Sequence, residues 1–167
     1  TPWAIICHPH PQHQGTMFNK VVTTAAKACA ACHIPSVRFN YRGIGDSAGH
    51  YTTLGDACAD VEAVYDWVQQ QHQPRTIWWL GFSFGGYVAT YGAGRHASTG
   101  LITMAPSMAR MPYPQLPYPS CPWWIIQGED DEVVSPQAVY DWSAQHTNTL
   151  IRMPACSHFF HGQLVQL

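Results

Sequence analysis

From Thr76 to Gly94 the chain reads TIWWLGFSFGGYVATYGAG, a run without a charged residue that is interrupted in its middle by Gly81, Gly85 and Gly86. A strand that is apolar at every position has no face to give to water. TIWWLGF (76–82) is therefore expected near the centre of a parallel sheet covered on both sides. Length and hydropathy alone would also suit a membrane span, but the glycines break the run, and a strand followed by a short Gly-containing helix from Phe84 accounts for it better. We expect no membrane span.

The remaining segments alternate in period around that strand. WAIIC (3–7) reads as a strand, and Met17, Val21, Ala25, Ala28 and Cys32 recur at helical spacing from Thr16 until Pro35 stops the helix. SVRFNY (36–41) reads as a second strand. Leu54, Ala57, Val61, Val64, Tyr65 and Val68 form an apolar stripe, with Thr53 placed to cap its start. GLITMAP (100–106) and PWWIIQG (122–128) read as buried strands joined by a proline-rich loop. Ser135 and Pro136 open a helix running to about His146, and TLIRMP (149–154) is a last strand. The alternation predicts an α/β fold, a doubly wound and mainly parallel sheet of about six strands flanked by helices. The paired tryptophans Trp78, Trp79, Trp123 and Trp124 are read as core and sheet-face residues.

Composition bounds what such a fold serves. Charged residues make up 11% of the chain, against roughly 25% in ordinary soluble domains, so much of the chain is interior. Its 167 residues suit one domain, 1–167, without a lid domain. The net charge is -2 and the eight Lys and Arg residues are scattered singly, which argues against nucleic acid as a partner. Six cysteines, Cys7, Cys29, Cys32, Cys58, Cys121 and Cys156, fall mostly in apolar runs and fit a reduced, cytoplasmic setting. The opening TPWAIICHPHP has no basic region of a secretory leader, and without an initiator Met we expect the true N-terminus to lie upstream.

In parallel sheets, chemistry gathers at the C-terminal strand ends. This selects Cys7 to Pro11, Arg42 to Ser47, Ser83, Gln127 to Asp131 and the segment after Met153. Gly81-Phe-Ser83-Phe-Gly85 has the spacing of a nucleophile elbow, in which a strand turns so sharply into a helix that its neighbours must be small. A serine hydroxyl needs a base, and the base an orienting acid. Downstream strand ends offer Glu129-Asp130-Asp131-Glu132 and Ala155-Cys-Ser-His158-Phe-Phe-His161. The backbone N–H of Phe84, following the serine at a helix start, is one donor for a developing oxyanion. An ordinary Gly-Ser-Gly turn, a solvated acidic loop and a core histidine are the corresponding non-catalytic readings.

The segments CHPHPQHQGTM (7–17), RFNYRGIGDSAG (38–49), GFSFGG (81–86), GEDDEVVSP (128–136) and SHFFHG (157–162) together resemble the α/β-hydrolase superfamily. Within it they resemble the small lidless bacterial hydrolases with an N-terminal His-Pro-His-Pro loop. The resemblance implies that Ser83 is the nucleophile. It implies an acid in a G-x-x-D-x-x-V pattern on Gly128, Asp131 and Val134, favouring Asp131 over Asp130, and a base at His158, with His161 as the fallback. It also places a second oxyanion donor at the main-chain N–H of His10, since Pro11 has none to give.

Competing readings attach to two further motifs. His8, His10 and His13 could ligate zinc or nickel, but the alternating prolines hold the segment extended and no carboxylate cluster completes a site. Cys29-Ala-Ala-Cys32-His33 spells a haem-attachment motif or a redox dithiol. Both cysteines extend the stripe of the first helix, so buried helix cysteines explain them better. Asp46 and Ser47 are read as a turn on the rim of the site.

The expected function is a serine hydrolase acting on a small acyl ester or thioester through Ser83, His158 and Asp131 and an acyl-enzyme, with no metal or organic cofactor. The rival is a non-catalytic binding or scaffold protein of the same fold. By the resemblance, an N-terminal hairpin is missing and only nine residues follow His158 where a closing helix is expected. Exposed sheet edges and apolar surface would follow, and with them a monomer of reduced stability or a homodimer.

Overall fold

A computed structural model describes residues 1–167. Strands β1 (Trp3–Cys7), β2 (Ser36–Arg38), β3 (Ile77–Phe82), β4 (Ser98–Met104), β5 (Trp123–Gly128) and β6 (Thr149–Met153) alternate with helices. These are α1 (Lys20–Ala31), α2 (Leu54–His72), α3 (Phe84–Arg95) and α4 (Pro136–Gln145). The strands form one sheet in the order β2-β1-β3-β4-β5-β6, and every neighbouring pair is parallel. The chain runs outward from β1 to β2 and then returns across β1 to β3. The crevice between β1 and β3 is thus the place where strand order reverses, and their C-terminal ends flank it.

Side chains alternate across the sheet with period two, which divides the core. Ile5, Cys7, Ile77, Trp79, Leu101 and Ile125 face α2, α3 and α4, whereas Ala4, Ile6, Leu80, Phe82 and Met104 face α1 and the residues after β6. The tryptophans follow this alternation. Trp79 and Trp123 are buried, while Trp78 and Trp124 are half-buried on the α1 side with ring centroids 5.9 Å apart. On that side α1 stands alone among the helices, and an apolar cavity of about 210 Å³ opens between its Cys29, the Cys32 that follows it and the sheet residues Trp78 and Ile102.

Two elements are shorter than the sequence suggests. Helix α1 starts at Lys20 rather than near Thr16, because the Asn19 carboxamide accepts the N–H groups of Val21 and Val22 at 2.9 and 3.3 Å. Met17 lies outside it, its N–H taken by the Asn40 side chain at 2.8 Å. Strand β2 ends at Arg38 rather than Tyr41, because the backbone beyond leaves the ladder and the Tyr41 N–H turns to the ring of buried His8. Helix α2 starts as expected: Asp56 in its first turn accepts the N–H groups of Thr52 and Thr53 at 2.8 and 2.9 Å.

Candidate active site

Strand β3 is buried along nearly its whole length, so its end is fixed before the chain turns into α3. The turn puts Ser83 at φ 54° and ψ -117°, a backbone state that a residue with a Cβ adopts only under strain. Glycines make the turn possible. A Cβ on Gly81 would lie 2.1 Å from the Gly85 carbonyl oxygen, and one on Gly85 would lie 2.2 Å from the Cys7 carbonyl oxygen. The second contact presses the start of α3 against the loop that leaves β1. Ser83 itself is tied to the neighbouring strand, its N–H donating to the Met104 carbonyl at 2.9 Å.

At the end of β5, Asp131 is buried and its carboxylate is held by four donors. Val133 and Val134 N–H groups reach Oδ1 at 2.8 Å each, His158 Nδ1 reaches Oδ2 at 2.8 Å and Gln127 Nε2 reaches Oδ2 at 3.1 Å. Burial pushes the Asp131 carboxyl up, but the hydrogen bond and charge of His158 and the two backbone donors outweigh it and hold the group below the usual carboxylate range. With Nδ1–H given to the carboxylate, Nε2 is the ring nitrogen left to accept a proton. Its backbone N–H is also anchored, on Glu132 Oε2 at 3.3 Å. The buried ring lies 5.0 Å from that of Phe82, the residue before Ser83.

The structure thus brings Asp131 and His158 together beside the elbow. Asp130 and His161 are exposed, and neither side chain makes a hydrogen bond to any part of this group. Ser83 Oγ is not hydrogen-bonded to His158; its partner is Ser107 Oγ at 3.4 Å. Phe84 is the first residue of α3, where the N–H has no partner within the helix. Its ring packs on that of His10 at 4.7 Å, so the two expected oxyanion donors sit on adjoining segments.

The histidine-rich loop is built from internal bonds. His8 Nδ1 lies 2.7 Å from the Pro9 carbonyl, and His8 Nε2 accepts the Tyr41 N–H at 3.2 Å, which uses both ring nitrogens. Burial lowers the His8 pKa to about 4, so the ring is neutral. His10 Nδ1 accepts the Gln12 N–H at 3.1 Å, and the His10 carbonyl accepts from His13 and Gly15. Among other loops, Ser47 donates to the Asn40 carbonyl at 2.8 Å within a turn, and exposed Cys32 caps the end of α1.

Two residues beside the site escaped the sequence reading in their roles. From the sequence Gln127 reads only as a strand-end residue, whereas it braces Asp131 from a fully buried position. Ser107 stands outside the strand ends singled out above. It follows β4, and the same rule that selected the other strand ends would have included it. Ser107 and Asp131 line a cleft of about 300 Å³ together with Ala109, Arg110, Val133 and Val134.

Comparison with known proteins agrees with this architecture. A curated relative, a protein of uncharacterized function from Rickettsia prowazekii (strain Madrid E), is 33% identical over 147 residues. The match takes in 84% of this chain, and the chain spans 61% of the length of that relative. An α/β serine hydrolase homologue from Coxiella burnetii superposes with a TM-score of 0.93 at 41% identity, covering 99% of this chain and 80% of that one. An α/β serine hydrolase without a lid from Xanthomonas campestris superposes with a TM-score of 0.92 at 44% identity, covering 98% and 75%. Residues 6–120, from β1 through the elbow and β4, match the hydrolase family described as serine aminopeptidase, S33. By this match over more than half of its length, the chain belongs to the S33 serine aminopeptidase family of α/β hydrolases.

Proposed function

We propose that the protein is a serine hydrolase that cleaves a small acyl ester or thioester. The observation that carries this reading is the buried Asp131–His158 pair, 2.8 Å apart, beside a serine held in a strained elbow. Ser83 Oγ attacks the acyl carbon while His158 Nε2 takes its proton, and His158 then gives that proton to the leaving group. Asp131 holds the imidazole in the required tautomer and stabilises the imidazolium. The main-chain N–H groups of Phe84 and His10 hold the oxyanion, and water resolves the acyl-enzyme. An amide, with its poorer leaving group, would demand a more elaborate site than this one, which favours an ester or thioester.

One observation favours a second reading, that of a non-catalytic binding protein: Ser83 Oγ rests on Ser107 rather than on His158. Catalytic hydrogen bonds are often loose before substrate binds, so the contact does not decide the matter. A fluorophosphonate probe separates the two. The hydrolase reading expects labelling of wild type, none of Ser83→Ala, and a loss of esterase kcat of about 10⁴-fold or more in His158→Ala. Folded wild-type protein that takes no label sinks the reading, and graded acyl esters then define chain-length preference.

A further inference from the structure

The hydroxyl of Ser107 is the sole hydrogen-bond partner of Ser83 Oγ in the protein, and Ser83 Oγ is in turn the sole partner of Ser107 Oγ. The segment that carries it is fixed against the elbow on several sides. Ala105 takes φ 47°, a left-handed conformation uncommon for alanine, and its N–H donates to the Ile126 carbonyl at 2.8 Å. The preceding Met104 carbonyl accepts the Ser83 N–H at 2.9 Å, and Pro106 packs on Gly86 in the first turn of α3. Beyond it, the Ser107 carbonyl accepts the Met111 N–H at 3.1 Å, which closes the turn. A buried hydroxyl on a segment braced in this way loses little further freedom when it bonds its neighbour. The same residue borders a cleft that it shares with Asp131, the carboxylate partner of His158.

We infer that Ser107 is a positioning residue for the nucleophile: its hydroxyl holds Ser83 Oγ in one place at the elbow. There the oxygen faces an incoming acyl carbon, and the serine proton passes to His158 only when substrate arrives. A hydroxyl suits this task where a methyl group does not, because it can accept the Ser83 O–H and so hold the oxygen in place until the proton passes to His158. The inference rests on the reading of Ser83 as a nucleophile.

The test compares wild type, Ser107→Ala and Ser107→Thr in the rate of fluorophosphonate labelling and in p-nitrophenyl acetate hydrolysis. Loss of one such hydrogen bond is expected to slow labelling and kcat about tenfold in Ser107→Ala, with KM changing less than about twofold. Ser107→Thr, which keeps the hydroxyl, is expected to recover most of the rate. A purely structural role would instead lower the active fraction and leave the labelling rate of the folded molecules unchanged. Wild type that labels while Ser107→Ala labels equally fast or faster overturns this inference alone. Thr no better than Ala also overturns it, and wild type that does not label overturns it together with the hydrolase reading.

Discussion

Ser83 shows how a local rule can be broken for the sake of a site. Its φ of 54° with ψ of -117° carries a strain of about 1–3 kcal/mol, which the surrounding strand and helix must overcome. Glycine adopts that conformation freely, though it adds entropy to the unfolded chain. Ser83→Gly is therefore expected to melt about 2–4 °C above wild type while losing all fluorophosphonate labelling. A melting temperature lowered by the substitution would show that the elbow is not strained. The Gly-x-Ser-x-Gly spacing made this conformation legible in the sequence, since only a tight turn requires those two glycines. His8 was less legible: its three-histidine neighbourhood resembled a ligand set, but its ring nitrogens serve the loop. With its pKa lowered to about 4 by burial, the folded protein resists a proton that the unfolded chain accepts near 6.5. Stability therefore falls as pH drops from about 6.5 to 4, by roughly 3 kcal/mol at the acid end. Urea unfolding at several pH values, with His8→Gln beside wild type, checks the source. An identical pH slope in the variant would assign the loss to other groups.

At the scale of elements, the start of α3 is wedged against the exit of β1. Gly85 is the point of contact, since an added Cβ would meet the Cys7 and His8 carbonyl oxygens at 2.2 and 2.6 Å. Backbone on both sides cannot move aside cheaply. Gly85→Ala is expected to cost about 3 kcal/mol and to displace the His10 loop from the elbow, slowing any labelling of Ser83. Gly55→Ala, near the start of α2, offers the control, because its Cβ would meet only Thr53 Oγ1 at an ordinary 3.5 Å. Thermal melts of the two variants should therefore diverge; equal melting temperatures would mean that the wedge carries no strain. The elements themselves were largely legible, because continuous apolar runs and helical stripes report burial directly. Their ends were not. Asn40 takes the Met17 N–H from 23 residues away, which no local pattern records, whereas Asn19 caps α1 through the N–H groups of Val21 and Val22, a local signal masked by the helical spacing that runs back to Met17. Ser107 lies at a strand end that the topology rule reaches, but its role comes from the neighbour that β3 places beside it.

Across the whole molecule, the sheet collects Ser83, Asp131 and His158 from three separate strand ends onto one rim, although 75 residues separate the first from the last. The order of strands also governs how the protein is made. β1 precedes both β2 and β3 in the chain, yet it lies between them in the sheet. Until residues 77–82 emerge, the apolar β1 has a partner on one edge only, and the larger core cluster lacks Trp79 and all of α3. Synthesis at about 5–20 residues per second leaves that partial sheet open for several seconds. The larger core cluster therefore closes only after the middle third of these residues, which supplies Trp79 and α3, has been translated.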